Sequence, residues 1–397
     1  MKHPWTVVLC AAVIVTLAMG VRQSFGLFMP QMSVALEVGR ESFGLAIAIQ
    51  NLLFGLVQPL VGALADRHGA GRVVLAGTLL YVIGLVGAAL AGGALGLHLS
   101  FGLLVGLGLS ATTFVVVLGA VARVVPVRQR GLAFGIVTAG GSLGQFLVVP
   151  SAQLLLSELG YRLALIVLAG LIALIAVLAI GVAGKAADRA EGGHGHTLKV
   201  ALLAAARHRD YWLLNAGFFV CGFHVAFIAT HFPAYLNDQG LGIEVGASAL
   251  ALIGLFNIFG SYLFGMSGDY FRKQYMLSGL YTARALALAL FLMVPLSAAS
   301  ALVFASAMGF LWLGTVPLTS GLVGQIFGVR YLSTLFGIVF LNHQVGSFFG
   351  AWAAGYVYDR ASSYDVVWTA SVALAVLAAI VHLPIRDARI ARFEAAA

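Results

Sequence analysis

The hydrophobic residues of this chain gather into long runs that are separated by short polar stretches. Twelve runs are long enough to cross a bilayer, since a helical span needs about 20 apolar residues. We number the predicted helices 1 to 12; they lie near residues 6–35, 43–65, 73–93, 97–121, 131–156, 161–184, 211–236, 246–268, 275–297, 300–327, 332–357 and 366–384. An open sheet edge cannot be satisfied in lipid, so the pattern predicts an all-α membrane protein.

The longest polar stretch divides the twelve predicted helices into two sets of six. We therefore predict an N-terminal six-helix half over residues 1–184, a cytoplasmic linker over 185–210 and a C-terminal six-helix half over 211–397. The linker contains closely spaced histidines between glycines, a composition that favours a flexible connection over a metal site.

The two halves repeat each other in sequence, which indicates a duplicated fold. Phe134–Val137 in helix 5 reads FGIV and returns as Phe336–Val339 in helix 11, 202 residues later. Pro30 near the end of helix 1 returns as Pro233 near the end of helix 7. Duplication of six-helix halves predicts a substrate site between the halves, near the membrane midplane.

Composition agrees with the membrane interpretation. The chain has 397 residues, of which 61% are hydrophobic and 9% are charged, whereas soluble proteins carry roughly 25% charged residues. The two cysteines form neither a disulfide framework nor a metal site, and we expect no cofactor.

The net charge of +8 follows from orientation and does not indicate a nucleic-acid partner. With the N-terminus inside, Arg40, Arg162 and Arg360 fall outside, Arg22 and Arg284 fall within apolar segments, and the other seventeen Lys and Arg residues fall inside. This bias predicts a multi-pass protein of a bacterial cytoplasmic (inner) membrane with both termini in the cytoplasm. We expect it to act as a monomer in the lipid bilayer.

A charged turn follows predicted helix 2. Gly62–Arg72 reads GALADRHGAGR, which follows the pattern G-x-x-x-D-R/K-x-G-x-R with one extra residue before the last arginine. A degraded copy occupies Gly265–Lys273 after helix 8. The pattern resembles the signature of the major facilitator superfamily, and the resemblance covers nearly the whole chain. It implies the major facilitator fold with two pseudo-symmetric halves, transport by alternating access, and a conformational latch made by Asp66, Arg67, Arg72, Asp269 and Arg272.

Two further segments resemble carboxylate transporters of that superfamily. Arg22–Phe28 is similar to the first helix of monocarboxylate transporters, with Arg22 where those proteins carry a lysine. Phe336–Ile338 followed by His343 resembles the oxalate:formate exchanger, in which a lysine occupies the place of His343. Both relatives carry an arginine in helix 8, which the monocarboxylate transporters pair with an aspartate. The corresponding residues here are Ser261 and Asn257, so the role of that pair is not carried over.

The predicted interior is cationic without a compensating acid. All fourteen Asp and Glu residues lie at the ends of apolar segments or between them. Because a charge at the bilayer centre costs roughly 2.5–3.5 kcal/mol, such residues predict a function. An anion that binds and leaves, or water in a cavity, would compensate them. The candidate substrate-binding residues are Arg22, Gln23, His224, His231, Asn257, Arg284, His343 and Gln344.

Three of these candidates are also candidates for proton coupling, because imidazole titrates near pH 6.5. His224 and His231 lie seven residues apart, two turns along one helix face, so we expect both to face one cavity. His343 lies in a polar cluster of helix 11. For each histidine the alternative is a neutral ring bonded to a neighbouring helix, and for Arg284 it is a structural bond to backbone carbonyls. Neutral lining candidates, each of which could instead pack between helices, are Gln23, Gln50, Asn51, Thr112, Thr113, Gln145, Asn257, Tyr262, Trp312 and Thr315.

These features favour a secondary transporter of a small organic anion. A monocarboxylate is the favoured substrate, and proton symport is the favoured coupling. The chain lacks the phosphate-cradling and H-E-x-x-H motifs that would indicate ATP use or metalloprotease chemistry, so we expect no enzyme. Efflux of hydrophobic or amphipathic compounds and carboxylate antiport are the alternatives.

Overall fold

The computed structural model describes residues 3–126, 129–183, 198–327 and 332–388, apart from the side chains of residues 66, 130, 131, 198, 269, 332 and 333. The described residues form helices and connecting turns, without strands. Among these described residues, nine helices are long and apolar enough to cross a membrane, or ten when the bent pair in helix 2 counts as one span. The Leu132–Val182 span turns at Gly160, so it accounts for two membrane crossings. Helix 11, Leu332–Ala361, is a further long helix and brings the number of crossings to twelve. The structure thus matches the twelve predicted helices.

The first six helices, which we call the N-terminal helices, include several interrupted ones. Helix 1 comprises Pro4–Gln23 and Phe25–Ala35, and helix 2 comprises Arg40–Leu56 and Gln58–His68. Helix 3 is Ala70–Ala89. Helix 4 comprises Ala94–Leu97, the π-helical His98–Leu104, Val105–Thr112 and Phe114–Val124. Helices 5 and 6 form one run, Arg130–Val182, that turns at Gly160, where φ is 70°.

The remaining helices, which we call the C-terminal helices, follow a short helix at Leu198–Ala206. Helix 7 is Arg209–Asp238, helix 8 is Ile243–Tyr270 and helix 9 is Lys273–Met293. Helix 10 comprises Ala298–Phe310 and Thr315–Phe327, helix 11 is Leu332–Ala361 and helix 12 is Asp365–His382. Half of the predicted linker, including His194 and His196, lies outside the described residues, so the boundary between the predicted halves remains a prediction.

Glycines let the helices approach closely where the two sets meet. A Cβ on Gly26 of helix 1 would overlap the carbonyl of Ala229 in helix 7. A Cβ on Gly44 of helix 2 would overlap the carbonyl of Ala351 in helix 11. Small residues permit this contact between backbones, which drives helix association in lipid. The N-terminal and C-terminal helices therefore pack directly on each other around the chain's polar interior.

The end of the bundle that holds residues 36–39 and 238–242 is called the outer end here, because the charge bias predicts that it faces outside. An ion pair joins Arg40 of helix 2 to Asp238 of helix 7 at 2.7 Å. A second joins Arg360 of helix 11 to Glu41 at 2.9 Å. The backbone nitrogens of Arg40 and Glu41 also donate to Asp359, at 2.9 and 2.8 Å. These contacts hold the N-terminal and C-terminal helices together at the outer end.

Candidate functional site

Arg22 lies at the boundary between the two sets of helices, two residues before the interruption of helix 1 at Ser24. Its Nη2 donates a hydrogen bond to Oδ1 of Asn51 in helix 2. The guanidinium carbon lies 5.4 Å from the centre of the Phe54 ring, within reach of a cation–π contact. The charge is therefore oriented by neutral partners.

A small cavity opens beside Arg22 between helices 1, 2 and 7. It leaves about 20 Å³ for the centre of a water-sized sphere, enough for one or two water molecules. Among the described residues that line it there is no Asp or Glu. The lining is Arg22, Gln23, Phe25, Gly26, Ile47, Gln50, Asn51, Val225, Ala226, Ala229 and Thr230.

The neutral amides of the lining are held by carbonyls and by each other. Gln50 Nε2 donates to the carbonyl oxygen of Phe101 at 2.9 Å. Phe101 belongs to the π-helical segment of helix 4, and such segments often occur at functional sites. Gln23 Nε2 donates to Gln145 Oε1 at 3.2 Å, and Gln145 Nε2 donates to the Leu250 carbonyl of helix 8 at 2.8 Å. Helices 1, 2, 4, 5 and 8 are thus connected around the cavity.

His224 and His231 share one face of helix 7, as their spacing predicts, but that face differs from the expected one. His224 Nε2 lies 2.9 Å from the carbonyl of Ser371 in helix 12. His231 lies 3.0 Å from the Tyr364 hydroxyl and 2.7 Å from the Ala351 carbonyl. Helix 7 turns other residues towards the cavity. The rings face helices 11 and 12 because carbonyl and hydroxyl partners there satisfy them.

Arg284 and Asn257 hold the interruption of helix 10, and neither lines the cavity. Arg284 is fully buried, and its Nε donates to the Leu311 carbonyl at 3.1 Å, while Nη2 donates to the carbonyls of Leu311 and Trp312. Asn257 Oδ1 accepts from the backbone nitrogen of Leu313 at 3.0 Å. An interrupted helix leaves carbonyl and amide groups without helical partners. Both side chains are drawn to those groups, which corresponds to the structural alternative for Arg284.

His343 and Gln344 are buried in helix 11 outside the cavity lining. The His343 ring stacks on Phe340 at 5.6 Å and lies 4.8 Å from Phe218. Neither of its nitrogens has a hydrogen-bond partner within the described part of the chain. Gln344 packs at the contact with helix 2, where a Cβ on Gly55 would lie 2.6 Å from its Cγ. The structure therefore separates His343 and Gln344 from the Arg22 cavity.

The predicted latch residues lie at the opposite end from the outer ion pairs. Gly69 ends helix 2 with φ 89°, a conformation that glycine adopts without strain. Arg67 and Arg72 are exposed on either side of it, while the side chains of Asp66 and Asp269 lie outside the described residues. Arg272 donates to Asp387 at 2.8 and 3.1 Å, and these hydrogen bonds lower the pKa of the Asp387 carboxyl. The latch role remains a prediction.

The sequence interpretation missed several residues of the site. Thr230 and Phe54 were not singled out, because an isolated threonine or phenylalanine in an apolar helix gives no signal. Gln50 and Asn51 were expected among neutral lining candidates and do line the cavity. Tyr262, another of those candidates, is 67% exposed on the outside of the bundle instead.

Comparison with known proteins agrees with this architecture. The sequence model of the Major Facilitator Superfamily matches residues 9–351. The chain is 29% identical to monocarboxylate transporter 13 of Rattus norvegicus over 380 residues, which is 91% of this chain and 83% of the relative. It is 25% identical over 348 residues to the uncharacterized MFS-type transporter YhjX of Escherichia coli (strain K12), covering 85% of each.

A solved structure is similar over nearly the whole chain. It is a bacterial homolog of the human lysosomal transporter Spinster in an inward-facing and occupied conformation. The TM-score is 0.77 at 17% sequence identity, and the match covers 96% of this chain and 97% of that one. The similarity shows a shared fold.

Proposed function

Since this chain belongs to the major facilitator superfamily and is a membrane transporter of a small molecule, we propose that it carries a small monocarboxylate by alternating access. One observation supports the proposal above the others: Arg22 lies in a cavity between the two sets of helices, and its partners among the described residues are neutral. Relatives named monocarboxylate transporters support the same substrate class.

The chemistry of the lining matches a carboxylate. A guanidinium presents a planar fork of donors that binds a carboxylate through two parallel hydrogen bonds. Asn51 occupies one donor of Arg22, so the other donors are available to an anion. The anion would supply the compensating charge that the described lining lacks. Because the described lining holds a cation and no acid, it favours an anion over a cationic amphipathic compound, which weighs against the efflux alternative.

Proton coupling is the second part of the proposal. The substrate enters as an anion beside a cation, and the apolar segments carry no acid to receive a proton. A proton would therefore travel with the carboxylate itself or on a histidine. Binding of an anion and of a proton favour each other, which is the reciprocity that symport requires. We also propose a location in a bacterial cytoplasmic membrane, with both termini in the cytoplasm and the protein acting as a monomer.

Uptake of a radiolabelled monocarboxylate into proteoliposomes tests the substrate assignment. Arg22→Gln should lower uptake at least about tenfold, a loss that corresponds to about 1.4 kcal/mol. Arg22→Lys keeps the positive charge but loses the two parallel donors of the guanidinium. Its uptake should therefore lie between that of the wild type and that of Arg22→Gln. Arg162→Gln is the matched control, because Arg162 lies against Tyr161 at the predicted outer side and is absent from the cavity lining. Normal uptake by Arg22→Gln would reject the assignment.

The coupling is tested in the same vesicles. Symport predicts that an inward proton gradient accelerates net uptake, whereas antiport predicts that uptake depends on a carboxylate preloaded inside. A thermal-shift series on the purified protein completes the test, because a bound ligand raises stability by mass action. Monocarboxylates should raise the Tm of the wild type and leave that of Arg22→Gln unchanged.

A further inference from the structure

A chain of hydrogen bonds crosses between the N-terminal and C-terminal helices at the outer end. Arg40, at the start of helix 2, donates from Nη1 to the Tyr364 hydroxyl at 2.9 Å. That hydroxyl lies 3.0 Å from Nδ1 of His231, whose Nε2 lies 2.7 Å from the carbonyl oxygen of Ala351. His231 is fully buried. It therefore connects helices 7, 11 and 12 to the outer ion pair of helix 2.

The partners of His231 determine which ring nitrogen carries the proton. A carbonyl oxygen only accepts hydrogen bonds, so Nε2–H donates to Ala351. Nδ1 of the neutral ring then accepts from the Tyr364 hydroxyl, and the phenol oxygen accepts in turn from Arg40. The closed outer end thus requires a neutral His231.

We propose that His231 makes the outer gate acid-sensitive, so that its protonation favours opening of the outer end. A proton on Nδ1 would turn this nitrogen into a donor. The Tyr364 oxygen would then face two cationic donors, and its own proton would have lost its acceptor. The imidazolium would also lie one hydroxyl group away from the Arg40 guanidinium, and like charges in a buried site repel strongly. Opening the gate admits water to both cations and relieves this cost.

The other charged groups near the ring do not offset the added charge. The titratable groups there come from every helix packed at this end: Arg40 and Glu41 of helix 2, Asp238 of helix 7, Tyr358, Asp359 and Arg360 of helix 11, and Tyr364 at the start of helix 12. Asp238 is paired with Arg40, and Asp359 accepts from the backbone at the start of helix 2. Glu41 is paired with Arg360. Each acid therefore already has a partner, and both direct partners of His231 are neutral.

Acid opening of the gate does not depend on which substrate the protein carries. His224 provides the internal comparison, since it lies on the same face of helix 7 two turns further in. Its hydrogen bond goes to Ser371 of helix 12, so within the described residues it links two C-terminal helices. Titration of His224 would not act on the contact between the two sets of helices.

Distances between spin labels at the outer end test the proposal without any substrate. Labels are placed at exposed Ala35 and Gln239, at the ends of helices 1 and 7, with Cys10 and Cys221 replaced by alanine. The population with a long distance should grow several-fold in the wild type between pH 8 and pH 5. In His231→Gln, which can still donate to Ala351 but does not titrate, the population should be independent of pH. His224→Gln should respond like the wild type.

An unchanged distance in the wild type, or a wild-type response in His231→Gln, would overturn the proposal. Tyr364→Phe serves as the second variant, and it decides the question if His231→Gln fails to fold. It removes the hydroxyl that joins His231 to Arg40 but leaves both of these groups in place. The gate should therefore already be more open at pH 8, and acid should increase the long-distance population less than in the wild type. A closed gate at pH 8 with a normal acid response in Tyr364→Phe would equally reject it. A failure of carboxylate uptake leaves this measurement untouched, so the two proposals fail separately.

Discussion

Arg22 and Asn51 form a hydrogen bond that joins helix 1 to helix 2 on the wall of the cavity. Asn51 is 1% exposed, and as a neutral amide it orients the guanidinium without cancelling its charge. A carboxylate at this position would hold Arg22 in an internal ion pair. The distinction matters because the proposed substrate must supply the negative charge itself.

Asn51→Asp should therefore weaken substrate binding strongly. The new carboxylate at position 51 competes with the substrate carboxylate for the donors of Arg22. The substrate could displace it only by leaving the buried charge at position 51 without a partner, which is costly. We expect the apparent affinity for a monocarboxylate to fall at least about tenfold, or about 1.4 kcal/mol. Titration of the purified protein by thermal shift or calorimetry gives the affinity.

Asn51→Ala is the control for charge. It removes the same hydrogen bond but adds no anion, so its affinity should fall much less than that of Asn51→Asp. Equal losses in the two variants would mean that Asn51 acts by positioning Arg22 alone, and the competition argument would then fail.

Arg284 is predicted to stabilise the fold and to leave substrate affinity unchanged. Its guanidinium donates to the two carbonyls at the interruption of helix 10. Leaving a buried acceptor without its donor costs about 1–3 kcal/mol, so Arg284→Gln should lower the free energy of unfolding by several kcal/mol. Thermal unfolding in detergent measures this loss. A normal Tm together with lost monocarboxylate binding would instead assign Arg284 to the substrate site.

The sequence could predict the helices and the cationic interior, but not the direction of each side chain. Hydrophobic length defined the spans, and the motif at Gly62–Arg72 indicated the family. The faces of His224 and His231 could not be assigned, because their shared face depends on which helix packs against it. The interruption of helix 10 could not be predicted from the sequence either. Its residues are apolar, and the side chains that bond to it come from helices 8 and 9.

Gly44 offers a steric test of the outer gate. A Cβ at this position would overlap the Ala351 carbonyl, which is also the partner of His231. Gly44→Ala should therefore prevent full closure of the outer end and increase the long-distance population at pH 8. The label pair at Ala35 and Gln239 measures it. Gly279→Ala is the matched control, because an added Cβ there meets no atom of the described residues within 4 Å.

The contact between Arg272 and Asp387 should not contribute to pH effects near neutrality. The hydrogen bonds from Arg272 lower the pKa of the Asp387 carboxyl in the folded protein, whereas an unfolded aspartate titrates near pH 3.9. A depressed folded pKa adds stability above the unfolded value, and this stability is lost as the pH falls through the folded value. Asp387→Asn should therefore lower the Tm by a constant small amount between pH 8 and pH 5. Below about pH 4 the Tm values of the wild type and of Asp387→Asn should approach each other. If the Tm difference already vanished between pH 8 and pH 5, the carboxyl would titrate higher than its contacts indicate, and acid effects on the transporter could no longer be assigned to histidine alone.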